Sequence, residues 1–165
     1  MRRGAQIHAE VTGYAANSDG YDMVTPSGEG GERCMRLAIN EANSVSGEIP
    51  IEYINAHATS TIAGDKREIN AIKAVFSSSQ PFIGSTKSLT GHGIGAAGVQ
   101  ESIYTLLMMK NKFMAESKNI DTVLDEGKGM NILTHRRDEP FRRALSNSFG
   151  FGGTNSVLIF DGYNA

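Results

Sequence analysis

The sequence predicts an α/β domain built on a mixed sheet. Three observations carry that expectation. Strand-like and helix-like stretches alternate along the chain. Its 165 residues, 39% of them hydrophobic, are one domain's worth of chain with enough apolar surface for a real core. The last two strand candidates are hinged at a glycine-rich turn, "FGFGG".

Residues 5–16, "AQIHAEVTGYAA", alternate apolar and polar side chains as a strand does, and a Gly-, Asp- and Ser-rich loop follows at 17–30. Residues 31–43 repeat apolar side chains at Met35, Leu37, Ala38, Ile39 and Ala42, a helix that stops near "SVSGEIP". The short apolar run at 51–58, "IEYINAHA", reads as a strand entering a turn of small residues. Residues 64–76 are helical, with Ile69, Ile72, Val75 and Phe76 on one face. A strand is expected at 80–86, the longest helix at 95–112, and another strand at 128–135, "KGMNILTH". Residues 141–162 close the chain as the two hinged strands. No repeat, low-complexity tract or internal linker interrupts the pattern.

Composition excludes several classes of function. Net charge is −2, and the densest basic cluster, "HRRDEPFRR" at 135–143, is interrupted by Asp138 and Glu139, so nucleic acid is not an expected partner. With one cysteine, Cys34, no internal disulfide forms, and the four histidines show no zinc-ligand spacing with it. A reducing, cytoplasmic setting fits that cysteine usage. The start of the chain has two arginines but no long apolar run behind them, and no segment is apolar enough to span a membrane, so neither a secretion signal nor a membrane partner is expected.

Residues 86–98, "TKSLTGHGIGAAG", pose a choice. Gly93, Gly95 and Gly98 spell G-x-G-x-x-G. A dinucleotide-binding turn requires those glycines to follow a strand directly and open a helix, so that backbone amides meet the pyrophosphate. Here residues 87–92 intervene, and no acidic residue ends a second strand about twenty positions on. The small residues are better explained as allowing the following helix a close approach.

Loops after strands hold the chemistry of this architecture, and three are unusual: 55–61, 86–92 and 147–153. His57 and His92 each stand at a strand-to-helix junction among small residues, where an imidazole can donate a hydrogen bond to a carbonyl oxygen or move a proton near neutral pH. Either alone reads as a structural histidine held by backbone; two in one setting point to a paired site. His8 and His135 read as structural or surface residues. Lys87 is either a buried counter-charge or a solvated loop lysine, and Glu101 either its partner or an exposed helix carboxylate. Cys34, inside an amphipathic helix beside Met35, has no activating base nearby in sequence and reads as core. The glycines of "FGFGGTN" either make a tight turn or expose an amide to a developing oxyanion. The residues by themselves thus point to a two-histidine site with no nucleophile.

"YINAHATSTIAGD", "STKSLTGHGIGAAGVQESIY" and "LSNSFGFGGTNSVLIF" together resemble the three C-terminal motifs of the β-ketoacyl-acyl-carrier-protein synthases, and the resemblance runs from about Gly4 to Phe160. The segment 9–39 is more similar to the type I enzymes of bacterial fatty-acid synthesis than to type II. The resemblance implies a thiolase-like fold: one half, with a mixed five-stranded sheet and helices on both faces, of an αβαβα sandwich. It implies that residues 1–165 form the C-terminal half, and that the N-terminal half, with the nucleophilic cysteine and most of the dimer interface, is absent. The activity implied is a decarboxylative Claisen condensation between malonyl-carrier protein and an acyl thioester, which this chain alone does not perform. The alternative is a non-catalytic binding or assembly subunit using the same half-fold.

Residue by residue, His57 and His92 match the family's two active-site histidines, which hydrogen-bond the malonyl thioester oxygen. Lys87 and Glu101 match its buried Lys and Glu, which order the site. Phe151 matches the phenylalanine whose amide helps form the oxyanion hole and whose ring gates the acyl pocket, and Phe149 and Gly150 of the same motif are implied in substrate binding. Thr59 and Thr61 match the hydroxyls that hold the pantetheine arm. No metal or other cofactor is implied; the implied partners are acyl carrier protein, the N-terminal half and, in the full-length enzyme, a second copy. Two positions depart from the family's H-G-T-S-T-P: Ala58 stands for Gly and Ile62 for Pro. A positive φ at position 58 would strain an alanine.

Overall fold

The computed structural model describes residues 3–77 and 80–163. The strands are β1 (Ala9–Ser18), β2 (Tyr53–Asn55), β3 (Phe82–Gly84), β4 (Arg143–Gly150) and β5 (Thr154–Gly162), and the helices are α1 (Glu29–Ser46), α2 (Ile62–Val75), α3 (Lys87–Thr90) and α4 (Ala97–Asn111). The strands form one five-stranded sheet in the order β1-β5-β4-β2-β3. β1 and β4 flank β5 antiparallel, and β2 lies parallel to both β4 and β3, so the sheet is mixed as expected.

Because side chains alternate across a strand, the sheet builds a different core on each face. Ile54, Leu145 and Ile159 join Cys34, Met35, Ala38 and Ile72 of α1 and α2 in one buried cluster. Their neighbours Tyr53, Ala144 and Phe160 join Met108 and Met109 of α4 in the other. Helices therefore cover both faces. Cys34 is fully buried, donates its thiol to the carbonyl of Ala15 at 3.3 Å, and is pushed by burial up to about 11. It is core, as expected.

Gly98 makes the close approach expected of the small residues: a Cβ there would come within 3.0 Å of Ser148 Oγ on β4, whereas Gly95 has nothing within 4 Å. The expected strand at 128–135 does not form. Ile132 pairs with Ile83 of β3 only as an isolated bridge, because a 3₁₀ turn at Asp125–Gly127 and the tight Ile132 N–H to Met130 O bond at 2.9 Å bend the segment. It still covers the β3 edge, through Ile83 N–H to Asn131 O and Leu133 N–H to Ile83 O. The strands expected at 51–58 and 80–86 are shorter than the apolar runs, and the expected loop at 86–92 contains the single helical turn α3.

At the far end of the sheet from the parallel strand tips, Arg143 is fully buried. Its guanidinium donates to Asp161 through Nε and Nη2, at 2.5 and 2.7 Å, and to Asn43 and the carbonyl of Ile49. Burial raises the Asp161 carboxyl, but the hydrogen bonds and charge of Arg143 outweigh it and hold the group below its ordinary value.

Candidate functional site

The parallel strands β2 and β3 and the end of β4 all deliver their following loops to one edge of the sheet. His57 comes just after β2, Lys87 opens α3 after β3, His92 follows α3, and Phe149 and Gly150 end β4. The rings of His57 and His92 meet edge to face, centroids 5.4 Å apart, and the Phe149 ring lies 6.2 Å from that of His57. Residues separated by thirty-five positions thus share one site, as the paired setting of the histidines implied.

His57 is half-buried. Desolvation, then the positive charge of Lys87 and the neighbouring His92, lower its ring from 6.5 to about 3, so it is neutral at physiological pH. Its Nδ1 is buried with no hydrogen-bond partner among the described residues. His92 is exposed, and its Nδ1 accepts the Ile94 N–H at 3.1 Å, so its neutral ring carries the proton on Nε2. Ile94, a β-branched residue, adopts a positive φ of 51° to make that bond.

Lys87 donates to Glu101 Oε1 of α4, and both side chains are buried. Lys87 is therefore the counter-charge and Glu101 its partner, which closes the alternative left open in the sequence. Burial raises the Glu101 carboxyl more than Lys87 lowers it, and its Oε2 has no partner among the described residues.

The hydroxyls of Thr59 and Thr61 lie 3.2 Å apart at the mouth of the His57 loop. The condition under which Ala58 would be strained is not met: Ala58 is not among the residues of positive φ, and Ser60, at 64°, carries the left-handed conformation of this loop instead. The Ala58 side chain packs on the first core. Ile62 opens α2 with its side chain 78% exposed, at the first helical position where a proline would need no N–H. Phe151 is 75% exposed in the turn Phe151–Gly153, whose Gly152 and Gly153 have φ of 76° and 77°. The Gly152 N–H donates to Met23 O at 2.8 Å, which pins the turn to the 19–28 loop.

Sequence reasoning missed Glu68. From α2 it accepts the N–H groups of His57 and Ala58, at 2.9 and 2.7 Å, and Asn147 Nδ2 of β4 at 2.9 Å. Burial raises its carboxyl against those hydrogen bonds. A signal was present: Glu68 precedes Ile72 by one helical turn, which puts a carboxylate on the buried face of an amphipathic helix. Asn55 and Ser85 were also missed; Ser85 Oγ donates to Ala58 O at 3.0 Å. Among the described residues no group of three or more His, Cys, Asp or Glu is placed to hold a metal ion.

Two imidazoles thus stand edge to face beside a buried Lys–Glu pair at one edge of the sheet, and the chain's single cysteine is buried in the core. Comparison with known proteins gives the family. Residues 8–121 match the family described as "Beta-ketoacyl synthase, C-terminal domain", and the chain belongs to it. It is 54% identical over 165 residues to 3-oxoacyl-[acyl-carrier-protein] synthase 1 of Haemophilus influenzae, covering 99% of this chain and 39% of that protein. The ishigamide ketosynthase/chain length factor superposes with a TM-score of 0.91 at 34% identity, over 99% of this chain and 40% of that one. The ketosynthase of the AntDE:AntF complex, a structure that includes a type II polyketide acyl-carrier protein, superposes with a TM-score of 0.89 at 32% identity, over 99% and 40%. The chain thus spans about two fifths of the length of the relatives it matches, and its fold is one thiolase-like half.

Proposed function

We propose that this chain is the C-terminal part of a 3-oxoacyl-[acyl-carrier-protein] synthase that condenses malonyl-carrier protein with an acyl thioester in fatty-acid elongation. The observation that carries it is the His57–His92 pair: two imidazoles edge to face at one site, His57 held neutral by its surroundings and His92 with Nδ1 accepting the Ile94 amide, which leaves Nε2 to donate. When the bond between the malonyl carboxylate and Cα breaks, carbon dioxide leaves and the electron pair becomes an enolate whose charge rests on the thioester oxygen. Two N–H donors stabilise that oxygen without giving up a proton. The enolate carbon then attacks an acyl group carried on the cysteine of the N-terminal half, and the thiolate leaves as the carbonyl reforms.

Lys87 and Glu101 hold the site's electrostatics, since the buried ammonium disfavours protonation of His57. The Phe151 amide serves the oxyanion of the acyl transfer, and its exposed ring, with Phe149 and Gly150, gates and lines the acyl pocket. Thr59 and Thr61 hold the pantetheine arm. No metal or organic cofactor takes part.

The partner half is supported by the outer face of α4. Val99, Ile103 and Leu107, one turn apart, are 66%, 50% and 47% exposed, and no charged side chain other than the buried Glu101 lies between Ile94 and Met109. Such a face belongs against another layer of protein. Acyl carrier protein as donor of both thioesters is supported by the relatives' name and by the carrier-protein complex among the structural neighbours. The full-length enzyme is taken to be a homodimer in the cytoplasm by resemblance to the family.

Mixing this chain with an N-terminal half that supplies the cysteine tests the proposal. Condensation should appear, and His57→Ala or His92→Ala should each lower it by roughly a hundredfold or more, about 3 kcal/mol for one lost donor. Activity indifferent to both substitutions, or none with wild type, would leave a non-catalytic assembly subunit.

A further inference from the structure

Three elements of the site meet at a buried polar cluster whose hydrogen bonds, among the described residues, do not involve either histidine ring. Asn55, the last residue of β2, is fully buried, as is Thr105 of α4, and Thr86 at the start of α3 is 5% exposed. The Asn55 amide nitrogen donates toward Thr86 Oγ1 and Thr105 Oγ1, each at 3.3 Å, and toward the Glu101 carbonyl at 3.4 Å. Its Oδ1 accepts the Thr86 N–H at 3.3 Å and lies 3.4 Å from the Thr86 hydroxyl. Thr105 spends its own proton on the Glu101 carbonyl at 2.8 Å, which leaves its lone pairs to accept from Asn55.

We propose that Asn55, Thr86 and Thr105 are positioning residues that set the separation of His57 and His92. The proposal rests on the function proposed above for that pair. His57 lies two residues beyond Asn55; Thr86 immediately precedes Lys87, whose helix leads to His92; and Thr105 shares α4 with Glu101, the partner of Lys87. The cluster thus ties the end of β2, the residue that leads into α3, and α4 together directly through side-chain hydrogen bonds. β2 and β3 are each only three residues long, so few ladder bonds hold their tips in register. A fully satisfied buried network supplies that rigidity, and small misplacements of catalytic groups cost rate steeply.

Thr105→Val keeps the shape and removes the hydroxyl; Thr105→Ser keeps the hydroxyl and loses only one methyl. Ser102→Ala is the control, because Ser102 makes the same kind of bond to the carbonyl one turn back, at 2.7 Å to Gly98, without touching Asn55. In imidazole NMR spectra of this chain, the His57–His92 ring cross-peaks should weaken in Thr105→Val and match wild type in Thr105→Ser and Ser102→Ala. In the reconstituted two-half enzyme, kcat of Thr105→Val should fall roughly tenfold to a hundredfold with KM unchanged. If Thr105→Val does not fold, Thr86→Val, which loses the hydroxyl and keeps the N–H, is measured in the same way. Wild-type cross-peaks in the folded variant, or an equal change in Ser102→Ala, would overturn the proposal. Absence of condensation with wild type would count against the proposed function alone, since the ring spectra still decide the cluster.

Discussion

Glu68 of α2 reaches back to accept the backbone N–H groups of both His57 and Ala58, at 2.9 and 2.7 Å. One carboxylate therefore fixes the loop that presents the first histidine. With Asn147 Nδ2 as the third, it receives three donors. A glutamine has one acceptor oxygen and brings donors of its own, so Glu68→Gln leaves at least one buried N–H unpaired. It should cost about 1–3 kcal/mol, read from urea unfolding, and shift the His57 ring resonances; unchanged ring signals would show that the loop holds itself.

The lowered ring of His57 makes an acid-sensitive fold. The unfolded residue takes up its proton near 6.5 and the folded one only near about 3. Between those values the unfolded state binds more protons, so stability falls as pH drops through that window and the whole contribution is gone below it. His57→Phe should lose this component, and the difference in unfolding free energy between wild type and variant should change between pH 6.5 and 5. A constant difference across that range would place the ring in water.

The strain of the His57 loop sits at Ser60, with φ of 64°, and not at Ala58. Ser60→Gly should therefore be neutral or stabilising, relieving up to about 1 kcal/mol. Ala58→Gly, which restores the family residue, should destabilise by roughly 0.5–1 kcal/mol through backbone entropy. The opposite order in thermal unfolding would reverse this assignment.

Arg143 and Asp161 form a fully enclosed pair. Asp161→Asn leaves the guanidinium without its counter-charge and should cost about 3–5 kcal/mol. Because the folded carboxyl lies below its ordinary value, the pair contributes stability above the unfolded carboxyl's range and loses it as pH falls through the folded one. Guanidinium unfolding of wild type and variant at neutral pH checks the magnitude.

The two faces of α4 should respond oppositely to charge. Ile103 is 50% exposed and Met108 is 2% exposed. Ile103→Glu should stay folded within about 0.5 kcal/mol, bind less hydrophobic dye and fail to pair with an N-terminal half. Met108→Glu should prevent folding. Dye binding unaltered by Ile103→Glu would mean that another surface is the apolar one.

Much of this was readable beforehand because its signals are local. The periodicity of 31–43, 64–76 and 95–112 located α1, α2 and α4 to within a few residues. The three motifs named the family and brought His57, Lys87, His92 and Glu101 forward as one site. The segment 128–135 misled, since its apolar residues bury against β3 through a bent edge cover that needs no ladder. Asn55, Thr86 and Thr105 were silent for a different reason: each is an ordinary polar residue until the fold supplies its partners.

The sequence alone determined the mixed sheet through its helix and strand periods and, through the resemblance of three motifs, the family and the half-fold, and it paired His57 with His92, because periods and motifs depend on neighbours in the chain. Tertiary structure alone decided which histidine is buried, where the loop strain lies, and which buried side chains hold the two histidine loops. Those depend on solvent exclusion and on hydrogen bonds between residues that only folding brings together, such as Asn147 and Glu68.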